Sequence, residues 1–294
     1  MDSVYIFTEI IRCGEIGYQA ISSFHKYHNL HLHIWCSEDD IKHIPPHDNN
    51  IIHVIDKTTE LYNDFDEGHK GTSHLWTNLI LELPEKYTHL LHFDSDVLFL
   101  GDMVNTVMGY VPEYDLIGPI RNYIHNPNNR DDVRHLPDVV QTYCFAFNRT
   151  LIRQPNKHIL WNWVRGYPVN FPHAVIDYFD PVSFTILRNG GKIKHIDNDI
   201  IGGTDLLGTR NNKNRELNAI FDVGDKIIHF AGVGSGLNFY NMATNNKKIS
   251  VPAFYVKFGM TRYDLYSQIF FNKRIIDSNV NDDTVEKFKK FMNY

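Results

Sequence analysis

Leu90-Leu91-His92-Phe93-Asp94-Ser95-Asp96 is the stretch on which the reading of this chain turns. His89–Phe93 reads as a buried strand, and two carboxylates one residue apart follow it at once. They present hard oxygen ligands about one side-chain width apart, suited to Mg²⁺ or Mn²⁺. As a bare spacing, such a doublet is equally a pair of solvated turn aspartates. Its setting adds weight. Just upstream, Thr72–Leu83 carries Leu75, Trp76, Leu79, Ile80 and Leu83 as a helical stripe, and Pro84 stops it. Earlier still, Val4–Glu9 reads as a strand, Gly17–His28 as a helix, and Leu32–Ser37 and Ile51–Asp56 as strands. Strand–helix–strand alternation predicts an α/β fold with a mostly parallel central sheet flanked by helices on both faces. Ligands of such sheets sit beyond the carboxyl ends of the strands, where Asp94 and Asp96 fall.

Downstream of the doublet comes the hydrophobic Val97-Leu98-Phe99-Leu100. Tyr123–Asp138, rich in Asn, Asp, Arg and Pro, reads as a surface loop. Thr142–Phe147 reads as a strand and Pro181–Leu187 as a helix ended by Asn189-Gly190-Gly191. Lys192–Ile196 is a further strand, and Ile227–Ala231 a last one opening into Gly232-Val233-Gly234-Ser235-Gly236. A histidine inside an apolar strand is ordinarily a core residue. Beside a glycine turn whose amides can approach phosphate oxygens, His229 is also a nitrogen ligand that would complete an Mn²⁺ site begun by two aspartates. After Thr284 the tail is amphipathic, with Val285, Phe288, Phe291 and Met292 beside Lys287, Lys289 and Lys290. Packing on the main body and resting on an anionic membrane surface are both open to it.

The chain has 294 residues, 43% hydrophobic and 22% charged, an ordinary globular profile. Its 19 Phe, 16 Tyr and 4 Trp demand burial and exclude disorder over most of the length. Lys and Arg number 29 against 35 Asp and Glu, and no basic block is present, which argues against a nucleic-acid partner. Cys13, Cys36 and Cys144 form no CxxC pair, so neither a zinc ribbon nor a disulfide framework is supported, and buried thiols in a reducing compartment are expected. No apolar run reaches a membrane span, and the first residues lack a basic region and carry Glu9, unlike a signal peptide. The expected location is therefore cytoplasmic. The 17 histidines are scattered without an HExxH, which disfavours a zinc enzyme.

A first strand ending in Thr, a helix before a strand, Asp94-Ser95-Asp96 and a distal His229-Phe230-Ala231-Gly232 together resemble the GT-A-fold nucleotide-sugar glycosyltransferases. Within these, the chain is most similar to the glycogenin and lipopolysaccharide galactosyltransferase group, over roughly Val4 to Gly236. Thr142–Arg149 also resembles glycosyltransferases of large DNA viruses, which would make the location host cytoplasm. The resemblance implies metal ligands at Asp94, Asp96 and His229, with Ser95 between the two acids and a donor-phosphate glycine at Gly232, Gly234 following in the same turn. It implies a nucleoside pocket at Phe7, Thr8 and Tyr18. Two departures stand out. The family's Lys-Pro-Trp is Gly234-Ser235-Gly236 here, and the basic residue of the helix before Asp-x-Asp is out of register, with Lys70 and His74 as substitutes or as plain surface residues.

The family also places an acidic residue at a helix start before a glycine turn and a short strand. Asp180, before Pro181, fits that position and equally fits a helix N-cap; Asp177 is the second choice. The expected organisation is a GT-A catalytic domain over 1–250, nucleotide-binding to about 100 and acceptor-binding beyond, with a helical extension at 251–294. The expected function is metal-dependent transfer of a sugar from a nucleotide sugar, a UDP-sugar for preference, to a hydroxyl of a glycan or glycoprotein, with retention favoured over inversion. The competing classes are a nucleotidyltransferase, which would need a basic triphosphate loop not found here, and a non-catalytic sugar-binding module on the same fold.

Overall fold

The computed structural model of the chain describes residues 3–11, 15–65, 69–126, 129–152, 179–196, 220–223 and 226–231. Four parallel strands form one side of the main sheet: β1 (Val4–Ile10), β2 (Leu32–Ser37), β3 (Asn50–Ile55) and β4 (His89–Phe93), in the order β3-β2-β1-β4. The crossovers carry α1 (Glu15–Tyr27), a 3₁₀ turn at Glu38–His43, α2 (Glu60–Asp64) and α3 (His69–Glu82). Beyond β4 the sheet turns antiparallel through β8 (Cys144–Asn148), β6 (Leu116–Asn126) and β7 (Asn129–Val140), and β9 (Ile193–Ile196) joins β6 in parallel. A second sheet is made of β5 (Val97–Phe99), β10 (Ile220–Val223) and β11 (Ile227–Ala231), in the order β10-β11-β5. Two further helices are α4 (Met103–Met108) and α5 (Asp180–Arg188). No helix among the described residues is long and apolar enough to cross a membrane.

Period-2 alternation puts apolar side chains on both faces of the parallel strands. From β1, Ile6 and Ile10 enter one core with Phe24 of α1, Phe93 and Met103, whereas Tyr5 and Phe7 enter the other with Leu75, Trp76 and Leu79 of α3 and Val182 and Ile186 of α5. Both faces are thus covered, as a strand buried on two sides requires. Asn189 closes α5, and Gly190 follows at φ 86°, a left-handed turn open to glycine without strain.

Within Tyr123–Asp138, expected as a loop, the described residues instead belong to β6 and β7, which pair antiparallel, with Tyr123 opposite Arg134, Ile124 opposite Val133 and irregular register on either side. Strand ladders are made by backbone groups, so polar side chains signal solvent contact and do not forbid pairing. The 251–294 segment, Asp177, Gly232 and Gly234 lie outside the described residues.

Buried and half-buried histidines give this fold an acid limit. His33 Nδ1 lies 2.9 Å from His53 Nε2, and His28 Nε2 accepts from the amide of Val104 while its Nδ1 bonds the carbonyl of Phe24. Burial, with the nearby His53, His31 and Lys86, pushes His33 down to about 4. Burial also lowers His25, His28, His53, His89 and His92. The unfolded chain then takes up protons near pH 6.5 that the native state refuses, so stability is full above that value and falls as pH drops toward 4. Glu9 acts in the opposite sense, because its raised carboxyl favours the fold as pH falls through 8, but it is one group against these imidazoles. Urea midpoints of the metal-free protein are therefore expected to fall steadily between about pH 7 and 4.5; a flat profile would contradict the neutral assignment.

Candidate metal centre

The order β3-β2-β1-β4 reverses direction at β1: β2 lies on one side of it and β4 on the other. By the general rule for such sheets, the reversal places a ligand crevice at the carboxyl ends of β1 and β4. β4 is buried along its whole length, and the chain leaves it at Phe93 directly into Asp94-Ser95-Asp96. The Asp94 amide donates to the Tyr143 carbonyl at 2.9 Å, prolonging the β4–β8 pairing by one bond. The chain then enters β5 of the second sheet, where Val97 pairs with His229 of β11. That register carries the imidazole across some 130 residues of sequence to the acids. His229 Nε2 stands 3.5 Å from Asp94 Oδ2 and 3.5 Å from Asp96 Oδ1, and one ligand atom from each residue lies within 4.8 Å of the others.

The donor set fits a hard-to-borderline divalent cation. Octahedral ligands at about 2.1 Å from an ion stand ~3 Å apart when adjacent, close to the separations found. Two carboxylate oxygens with one imidazole nitrogen suit Mn²⁺, and Mg²⁺ with more water retained. Asp96 is buried and Asp94 partly open, so the group has a closed side and an accessible one. The Tyr143 ring lies over the His229 imidazole, with centroids 4.5 Å apart and planes 19° apart. His92, the strand residue before Phe93, has its Nδ1 3.7 Å from Asp94 Oδ1, and burial pushes it down to about 3, so it stands there neutral.

The residues expected around this centre take varied positions. Ser95 is part of the turn, half-buried. Phe7 is fully buried, its ring against Trp76 and His92, and Thr8 is fully buried and donates to the Phe93 carbonyl at 2.8 Å. Both therefore bind β1 to its neighbours, with side chains turned into the protein. Tyr18 on α1 is 42% exposed. Lys70 and His74, considered as surface residues or phosphate partners, instead share the buried Asp64: Lys70 Nζ is 2.9 Å from Oδ1, and His74 Nδ1 is 2.8 Å from Oδ2. Burial pushes the Asp64 carboxyl up, yet the hydrogen bonds and charges of Lys70 and His74 outweigh this and hold it below its usual range. His74 is itself buried. Asp180 is not the cap of α5. Phe179 holds the N-cap position, its ring packing on Trp76 and Phe145, and Asp180 is the first helical residue and is buried.

Glu9 was not anticipated. It is the last residue but one of β1 and accepts from Trp76 Nε1 at Oε1 and from Thr72 Oγ1 at Oε2, the latter at 3.4 Å. Burial pushes its carboxyl up to about 8, the Trp76 bond opposing this and the charge of Asp94 adding to it. The signal was present, because an acidic residue at the end of an apolar first strand obeys the rule that singled out Asp94.

No family model and no curated protein matches the chain in sequence. Among solved structures it is similar to mouse xyloside xylosyltransferase 1 in its apo form, at 12% identity and TM-score 0.49, over 76% of this chain and 96% of that one. It is similar to an active-site mutant of LgtC at 11% identity and TM-score 0.44, over 71% of this chain and 79% of that one. A third likeness is to the 4-diphosphocytidyl-2C-methyl-D-erythritol synthase of Anaerococcus prevotii, at 14% identity and TM-score 0.37, over 67% of this chain and 88% of that one.

Proposed function

We propose that this chain is a metal-dependent glycosyltransferase of GT-A architecture that moves a sugar from a nucleotide sugar, for preference a UDP-sugar, to a hydroxyl of a glycan or glycoprotein. The observation that carries this reading is the Asp94–Asp96–His229 group beyond the carboxyl end of β4. The two carboxylates and the imidazole would hold Mn²⁺ or Mg²⁺, whose charge offsets the negative charge that grows on a departing diphosphate. Asp96, buried, anchors the closed side of the group, while Asp94 borders the open side from which a donor would approach. Phe7 and Thr8, fully buried in β1, are assigned to the support of the nucleoside pocket, and Glu9 and the exposed Tyr18 to contact with the nucleoside. Gly232 and Gly234 follow His229 closely and are assigned to the donor phosphates. Asp180 or Asp177 is assigned to the acceptor side. In a retaining reaction it orients the sugar while the leaving phosphate takes the hydroxyl proton; in an inverting one it removes that proton itself.

The test is UDP release from a panel of UDP-sugars with and without Mn²⁺. Turnover that needs the cation and is lost on chelation is expected. Donor binding without turnover would favour a non-catalytic module, and pyrophosphate release from nucleoside triphosphates would favour nucleotidyl transfer.

A further inference from the structure

The three candidate ligands come from two sheets, and pairing alone fixes only their backbones. The β5–β11 register sets where His229 leaves its strand, but backbone pairing does not by itself set the side-chain torsions that aim the imidazole. Tyr143 touches both halves of the group. Tyr143, immediately before β8, accepts the Asp94 amide on its carbonyl and lays its ring nearly parallel on the His229 imidazole. It is 1% exposed and contributes to the core that also holds Phe93, Val97 and Ile227, so its ring has little room to move. We propose that Tyr143 is a positioning residue of the metal centre, holding the His229 imidazole in the plane that points Nε2 at Asp94 and Asp96. This rests on the metal-site reading above.

The physical basis is the narrow tolerance of ligand geometry. A ligand held loosely by about half an ångström loses much of its worth, and groups that orient ligands from outside the coordination sphere typically carry ~10–100-fold in metal affinity. An aromatic face suits this task, since an imidazole that donates to a cation gains positive character and is attracted to the ring above it. The backbone bond to Asp94 does not depend on the side chain at position 143, so substitution there separates the ring's effect from that of the strand pairing.

The experiment measures Mn²⁺ binding directly, by electron paramagnetic resonance of the free ion, on the full chain without donor. Tyr143→Met, which fills the volume without a ring, is expected to weaken binding by about 10–100-fold, and Tyr143→Phe to restore it to within about threefold of wild type. Phe145→Leu, a buried ring two residues on that faces the opposite core, is the control. It is expected to lower the thermal midpoint of the metal-free protein as Tyr143→Met does, with Mn²⁺ affinity unchanged. Tyr143→Leu replaces the Met variant should that one not fold. Equal Mn²⁺ affinity in wild type and a folded ringless variant overturns the proposal, as does a Phe variant as weak as the ringless one. Absence of Mn²⁺ binding by the wild-type chain overturns the metal reading itself, and this inference with it.

Discussion

Asp96→Asn is expected to lower Mn²⁺-dependent release of UDP by at least ~100-fold while leaving the fold intact. Groups that merely orient a ligand carry about 10–100-fold, so a ligand itself carries no less. The substitution is nearly isosteric and removes one negative charge from a carboxylate whose Oδ1 is 3.5 Å from His229 Nε2. An amide oxygen remains a weak ligand, yet the net charge that draws a divalent ion is halved between the two acids. The loss should show in kcat as well as in Mn²⁺ affinity, because charge on a leaving diphosphate is offset most in the transition state. Asp94→Asn should behave alike, and the thermal midpoint of the metal-free protein should hold or rise, since two close carboxylates repel. Unaltered cation-dependent turnover in Asp96→Asn would remove this group from the chemistry.

Arg149→Ala is expected to destabilise the chain by roughly 3–5 kcal/mol, although it lies away from the metal centre. Arg149 follows β8, and its guanidinium is buried beneath the end of α3. It donates to four carbonyls: Ile80 at 2.6 Å, Leu83 at 2.7 Å, Pro84 at 2.8 Å and Tyr87 at 2.5 Å. Ile80 lies in the last turn of α3, whose final carbonyls have no partner within the helix, Leu83 directly follows α3, and Pro84 and Tyr87 belong to the turn that leads into β4. One planar fork thus closes α3 and steers the chain into the strand that ends at Asp94. Truncation strands several carbonyls at once, each costing about 1–3 kcal/mol where water cannot reach. Arg149→Lys keeps the charge but offers a compact donor with three hydrogens in place of five, and should recover less than half of the loss. Urea denaturation at neutral pH measures both, and a midpoint within error of wild type for Arg149→Ala would refute the account.

Much of the fold was legible in local pattern. Leu32–Ser37, His89–Phe93 and Ile227–Ala231 are strands with the bounds that their apolar runs suggest, and the stripe of Leu75, Trp76, Leu79 and Ile80 is the buried face of α3. β4 and that face of α3 are buried, and burial is what apolar periodicity records. The β6–β7 pairing escaped because it rests on backbone groups that composition does not report. Lys70 and His74 looked like free basic groups; the sequence holds no sign that Asp64, on the preceding helix, would engage both.

By itself the sequence determined the chemical inventory of the centre: two acids where a buried strand must end, and a histidine in a strand far along the chain. Spacing of apolar residues along a strand settles where it stops, so the position of Asp94 and Asp96 at a carboxyl edge followed from local pattern. Only the tertiary structure decided that His229 meets them, that Tyr143 covers it, that Glu9 accepts from Trp76 and Thr72 and that Phe7 and Thr8 turn inward. Those relations depend on strand order and on the register between β5 and β11, which arise from packing between segments remote in sequence and leave no periodic trace in any one of them.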